Sequence, residues 1–285
     1  MAATSGASAA LARFAVDLRW DDIPAQVQHE AKRSLLNFFA TALAGCNDPA
    51  VAIAARVFGE FRAASQCTVI GRAEATDMRH AASLNAMSGN VFDFDDTHMP
   101  TIVHPTAPVA PALLALAQTR PVSGRDLLAA FVVGVEVECR LANAVSPWHY
   151  ERGWHITSTC GVFGAAAIGA ALLELQASAM RDAFGNAGTQ ASGLWQCRLE
   201  DTMSKQLHNG RAAQSGLLAA RLAQHGFTGA HAILEGELGF FRALCPDAQP
   251  DRMAGGDEDR WLIHDTSFKP WPACRHAHAV IDLAL

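Results

Sequence analysis

Apolar positions recur every three or four residues along most of this chain and rarely alternate, so the pattern predicts helices rather than strands. Pro24 fits the first turn of a helix that runs to about Ala44 and is closed by Gly45. Further helices are predicted over residues 50–61 and 77–88, with a brief β-prone stretch over 67–70 between them. Ser123 is placed to cap a helix over 125–143, with Asp126 favourable in its first turn. Residues 158–175 are rich in glycine and alanine, which permits close approach of helices in a buried layer. Helices over 177–186 and 205–224 follow, the latter closed by Gly226.

The texture changes near residue 247. Pro246, Pro250, Gly255 and Gly256 sit among charges and read as a linker over 247–267. Residues 261–268 are β-compatible, and 275–285 begin a new helix that stops inside an apolar pattern without a cap or polar tail. The expected organisation is a helical domain over 1–246, that linker, and over 268–285 the start of a C-terminally truncated second domain.

Composition narrows the function classes. Of 285 residues, 50% are hydrophobic and 18% charged, enough for a sizeable core and far from a disordered composition. A net charge of -6 gives no electrostatic drive toward nucleic acid or an anionic membrane. The seven cysteines are scattered without a CxxC pair, as suits reduced thiols in a cytoplasmic protein. Arg13 and Asp17 interrupt the N-terminal apolar run, so no secretory signal is expected, and no stretch is long enough for a membrane span. Only Lys32, Lys205 and Lys269 among 22 basic residues are lysines, which makes the position of each informative.

Four segments concentrate polar chemistry. The densest is Asp93-Phe94-Asp95-Asp96-Thr97-His98, followed by His104-Pro105-Thr106. Alternation there would bury Phe92 and Phe94 and point Asp93 and Asp95 together. The carboxylates could cap a helix end through Asp96 or Thr97, hold a histidine in one tautomer, bind a metal or act as bases. Next, Trp154-His155-Ile156-Thr157-Ser158 precedes the glycine- and alanine-rich run. A helix start with Thr157, Ser158 and free N–H groups would receive a carboxylate. His155 by itself reads as a capping or packed residue. Lys205, His208 and Asn209 share one helix face, either as a solvated basic face or as site groups. Lys269 lies in the rigid, proline-flanked string Phe268-Lys269-Pro270-Trp271-Pro272, which suits a fixed cation facing an anionic substrate. Cys274, His276 and His278 lack a second ligand pair with zinc spacing, so no metal site is predicted. Asp93-x-Asp95-x-Thr97 also matches the nucleophile string of haloacid-dehalogenase-type phosphatases, but that string should end a β-strand and here stands in helical surroundings.

The strings DFDDTH (93–98), HPTAPVAPALLALA (104–117), WHITSTCGVFGAAA (154–167), SKQLHNGRAAQSG (204–216) and FKPWPACRHAHAVIDLAL (268–285) together resemble the MmgE/PrpD family. That family includes 2-methylcitrate dehydratase, cis-aconitate decarboxylase and iminodisuccinate epimerase. The resemblance implies a mainly α fold, with a large all-helical domain followed by a smaller α+β lid domain. It also implies a cytoplasmic homodimer that needs neither redox cofactor nor metal. The implied catalytic residues are His104, His155, Asp93 and Lys205, and the implied substrate-binding residues are Thr97, Lys205 and Lys269. His104 would lead proton transfer, with Asp93, Asp95 or Asp96 orienting a histidine. The implied activity is a cofactor-independent lyase, a dehydratase or decarboxylase, on a small polycarboxylate of the methylcitrate or aconitate type. An epimerase of an iminodisuccinate-like dicarboxylate and an inactive truncated helical domain are the alternatives. The DFDDTH form resembles the decarboxylase and epimerase branches more than the dehydratases. The family's site tyrosine belongs to the lid, and Tyr150, the only tyrosine here, lies in the helical part and does not match it.

Overall fold

The computed structural model describes residues 6–254 and 260–285, so Gly255 and Gly256 of the expected linker lie outside the described residues. The fold is mainly helical. Helix α1 (Ala7–Asp17) precedes α2 (Ala25–Gly45), whose N-cap is Pro24. Asp48 caps α3 (Pro49–Gly59) by accepting from Ala50 N at 2.8 Å, and Asp77 caps α4 (Met78–Asn90) by accepting from Arg79 and His80 N–H groups. Helix α5 (Thr106–Ala117) follows, and α6 (Gly124–Val145) starts where Ser123 Oγ accepts from Asp126 N at 3.2 Å. Side-chain oxygens satisfy these first-turn N–H groups, which is why the helices begin where they do.

After the single turn α7 (Trp148–Glu151), the run predicted over 158–175 divides into α8 (Ile156–Ala167) and the short α9 (Gly169–Leu172). Helices α10 (Ala177–Gly188) and α11 (Ser204–Gln224) come next, and Gly226 ends the latter at φ +82°. Short α12 (Phe240–Leu244) and α13 (His278–Ala284) complete the helices. Two minimal antiparallel pairs supply the strands: β1 (Cys67–Thr68) with β2 (Ala75–Thr76), and β3 (Thr97–His98) with β4 (Thr266–Ser267).

Helix α8 is the centre of the packing, held between α6 and α11, while α4 packs on α2, α5 and α11. Small residues make this possible. A Cβ on Gly164 of α8 would lie 2.8 Å from the Gly134 carbonyl of α6, and one on Gly216 of α11 would lie 2.5 Å from the Val162 carbonyl of α8. Backbone meets backbone at both crossings, so the glycines set the interhelical distance.

Helix α5 has no counterpart among the helices predicted from periodicity, and prolines stand at 105, 108 and 111. Pro105 is the N-cap and Pro108 lies in the first turn, where a missing N–H costs nothing; Pro111 alone sits in the interior. The β-compatible run over 261–268 is instead a 3-10 turn, Leu262–Asp265, followed by β4. Leu262 and Ile263 are both buried, and the Ile263 N–H donates to the buried Glu136 carboxyl of α6 at 3.0 Å. All seven cysteines are free thiols, five of them buried. Among the described residues no single helix is long and apolar enough to cross a membrane.

Candidate active site

The chain between α4 and α5 builds one wall of a cleft. It does not alternate as expected. Phe92 is 45% exposed and Phe94 only half-buried, whereas Asp95, Asp96, Thr97 and His98 are all buried. Asp93 sits at φ +50°, and its N–H donates to the Asn90 carbonyl at 2.8 Å. This left-handed turn breaks the period of two before a strand can form. Asp93 and Asp95 nevertheless both face His104, at 3.7 Å from its Nε2 and 3.4 Å from its Nδ1.

Asp96 is a helix cap, but of α5 rather than of its own segment. Its carboxyl takes the Thr106 hydroxyl at 2.5 Å and the Thr106 N–H at 3.3 Å. Burial pushes its pKa up to about 7, with the bonds from Thr106 working against the shift. The Asp96 carbonyl lies 2.9 Å from His104 Nδ1. A carbonyl can only accept, so Nδ1 carries the proton and Nε2 keeps its lone pair. Burial lowers the His104 pKa and keeps the ring neutral. The result is a fixed imidazole whose free nitrogen faces the cleft.

The two informative lysines converge on Asp93. Lys205, in the first turn of α11, places Nζ 3.2 Å from Asp93 Oδ1, and Lys269, just after β4, places its own at 2.8 Å. Lys269 Nζ also donates to the Asp93 carbonyl, and the residue is only 5% exposed, while Lys32 is exposed on the surface. Burial alone would raise the Asp93 pKa. Lys205, His104 and Lys269 outweigh it and hold the carboxyl well below the usual range. The β3–β4 pair brings Lys269 across 176 residues of sequence to this oxygen.

His155 stands at the N-cap of α8 without a side-chain capping bond, and its ring is buried against Trp195, centroids 4.2 Å apart. Of the expected carboxylate receptor, Ser158 has its hydroxyl hydrogen committed, Thr157 serves His104 as an acceptor, and neither residue is among those lining the cleft. Thr157 Oγ1 accepts from His104 N at 3.1 Å, and Ser158 Oγ donates to the His208 carbonyl at 3.0 Å. They lock α8 to the neighbouring walls.

Asp93, Thr97, His104, His155, Lys205 and Lys269 all line one cleft of about 210 Å³. The six residues that the resemblance implies are therefore brought together. Thr97 contributes a buried hydroxyl with no partner among the described residues. Sequence reasoning missed Trp195 and Arg198, which line the same cleft from a 3-10 turn, and it gave Tyr150 no place there. Arg198 donates to the Tyr150 hydroxyl at 2.6 Å. The available signal was an arginine three residues after a tryptophan beside Gly193, too short for any periodicity.

Asp93, Asp95 and His104 bring three potential metal ligands within 4.8 Å of one another. The Lys269 ammonium already occupies the cation position on that carboxylate, 2.8 Å from Asp93 Oδ1, so this donor set does not fit a resident divalent ion.

A mainly helical fold with a cationic cleft at the junction of α4, α5, α8 and α11 defines the class. The chain belongs to the MmgE/PrpD family, whose N-terminal domain model matches residues 9–253. It is similar to a cis-aconitate decarboxylase-like protein, oryM, of Aspergillus oryzae, with 33% identity over 96% of this chain and 60% of that protein. It is 28% identical to cis-aconitate decarboxylase of Aspergillus terreus, over 98% of this chain and 60% of that enzyme. Identity to cis-aconitate decarboxylase of Homo sapiens is 32%, over 91% of this chain and 55% of that enzyme. The chain thus spans about 60% of the length of the first two relatives.

Proposed function

We propose that this chain carries the principal catalytic wall of a cofactor-independent lyase for a small polycarboxylate of the aconitate type, and that the reaction is a decarboxylation. The observation that carries this reading is the convergence of Lys205 and Lys269 on one carboxylate beside His104 and His155. Two fixed ammonium groups match a substrate with at least two carboxylates, and Arg198 stands on the same wall. The names of the relatives supply the substrate type.

The chemistry needs electrostatics and one proton. As the bond to the departing carboxylate breaks, carbon dioxide leaves and the electron pair passes to carbon, conjugated with the neighbouring double bond. The lysines stabilise that charge, and a histidine delivers a proton to carbon. Asp93 holds the ammonium groups in place, and Thr97 donates to a substrate oxygen. The same reading takes 1–246 as the helical domain, 247–267 as its connection and 268–285 as the start of a lid domain. It also takes the protein as a cytoplasmic homodimer.

The test is incubation of the 285-residue chain with cis-aconitate in deuterium oxide, with products read by NMR and mass spectrometry. Release of carbon dioxide with one deuteron on the product is the expected result. A change by one water would move the assignment to a dehydratase, and deuterium exchange at unchanged composition to an epimerase. Saturable binding without turnover would mark an inactive helical domain. Absence of both binding and turnover of cis-aconitate would overturn the reading.

A further inference from the structure

His155 enters the cleft with one ring nitrogen already engaged. Its Nδ1 lies 3.1 Å from Nδ1 of His208, on the first turns of α11. Two neutral imidazoles form this bond only when one Nδ1 carries a proton and the other does not. Double protonation is opposed on both sides: burial lowers both pKa values, and Lys205 adds positive charge beside each ring. The other charged groups facing His155 are His104 and Asp93.

The pair is also mechanically fixed. Ser158 Oγ holds the His208 carbonyl at 3.0 Å, which ties the backbone of α11 at this residue to the first turn of α8. Trp195 covers the His155 ring from the other side. His155 Nε2 is buried and has no hydrogen-bond partner among the described residues. It is therefore the only ring nitrogen of His155 left for a ligand, whereas His208 is itself partly open to water.

We propose that His208 is a positioning residue that sets the tautomer of His155. Its Nδ1–H donates to His155 Nδ1, so the proton of His155 stays on Nε2, toward the cleft. The direction rests on the lyase reading above. Decarboxylation needs a net proton donor, and His104, with its Nδ1–H on the Asp96 carbonyl, offers an acceptor. His104 then presents a bare nitrogen to the cleft and His155 an N–H, so the proton that the family resemblance assigned to His104 comes instead from His155. Which nitrogen carries the proton is decided by the bond at the other, and here His208 makes that bond.

Long-range nitrogen–proton NMR on the uniformly labelled chain, with His155 assigned through His155→Gln, reads the tautomer without any turnover. The expected spectrum shows His155 protonated at Nε2 and His208 at Nδ1. His208→Asn keeps an amide donor near the Nδ1 position and should preserve the His155 pattern, whereas His208→Leu should abolish it. With cis-aconitate, His208→Leu should lower kcat by roughly 10- to 100-fold with KM nearly unchanged, and His208→Asn should recover most of the loss. A His155 protonated at Nδ1, or a pattern unchanged in His208→Leu, would overturn the proposal. So would a His208→Asn chain as impaired as His208→Leu. Should no form turn over a polycarboxylate, the lyase reading fails, while the NMR pattern still decides the role of His208.

Discussion

Replacing Lys269 by methionine should destabilise the chain by about 3–5 kcal/mol at pH 7, the usual cost of stripping one partner from a buried ion pair. The ammonium is 2.8 Å from Asp93 Oδ1 on a side chain that is 1% exposed. At an effective dielectric near 20 that contact is an attraction of about 6 kcal/mol before desolvation is subtracted. Its removal also strips the Asp93 carbonyl of a donor. Lys205, at 3.2 Å and 21% exposed, remains and should keep the loss toward the lower figure. Asp93→Asn in the same chain removes the stranded charge, so the double variant should recover part of the loss, with a coupling of about 2–3 kcal/mol. Urea unfolding at pH 7 by linear extrapolation measures all four corners of the cycle. The Asp93 pKa is depressed in the folded chain, so its contribution is complete above about pH 4 and is lost as pH falls through the folded value. The coupling should therefore be the same at pH 7 and pH 5. A Lys269→Met chain within about 1 kcal/mol of the parent would refute the view that these groups form a desolvated pair.

Other outcomes follow from packing, titration and exposure. Gly216→Ala should cost roughly 1–3 kcal/mol in urea unfolding, because the new Cβ would sit 2.5 Å from both the Val162 carbonyl and the Ala165 methyl group, and backbone cannot yield there. His98 is fully buried, donates to or accepts from Thr101 Oγ1 at 2.7 Å, and has its pKa pushed down to about 4 by burial. Its stabilising effect is complete above about pH 6.5 and falls away toward pH 4, by about 3 kcal/mol. His98→Asn should flatten that limb of a stability–pH curve by about one proton. A thiol reagent should label Cys274 first and half-buried Cys197 more slowly, sparing the five buried thiols. Because Cys274 lines the cleft, a bound polycarboxylate should slow the first phase, as mass spectrometry of the labelled chain would show.

What was legible in the sequence divides along the range of the interactions involved. Asp48, Asp77 and Ser123 cap helices two or three residues away, so the starts of α3, α4 and α6 were visible in local pattern. Helix α1 has Gly6 at its N-cap and no capping side chain, and α5 carries Pro111 in its interior, against the local preference. The cleft depends on longer reach. Asp93 meets Lys205 and Lys269 because α11 crosses α4 and because two residues at 97–98 pair with two at 266–267, and no periodicity encodes either event. The scarcity of lysine pointed at the right residues, since the one lysine outside the motifs is on the surface and the other two share a carboxylate. It could not say that they share it. Family strings placed both lysines in one site, and the helix pattern put His208 on the face of Lys205, but neither gave its 3.1 Å contact with His155. Composition identified the charges worth asking about; only packing shows which of them neutralise one another and which nitrogen is left free.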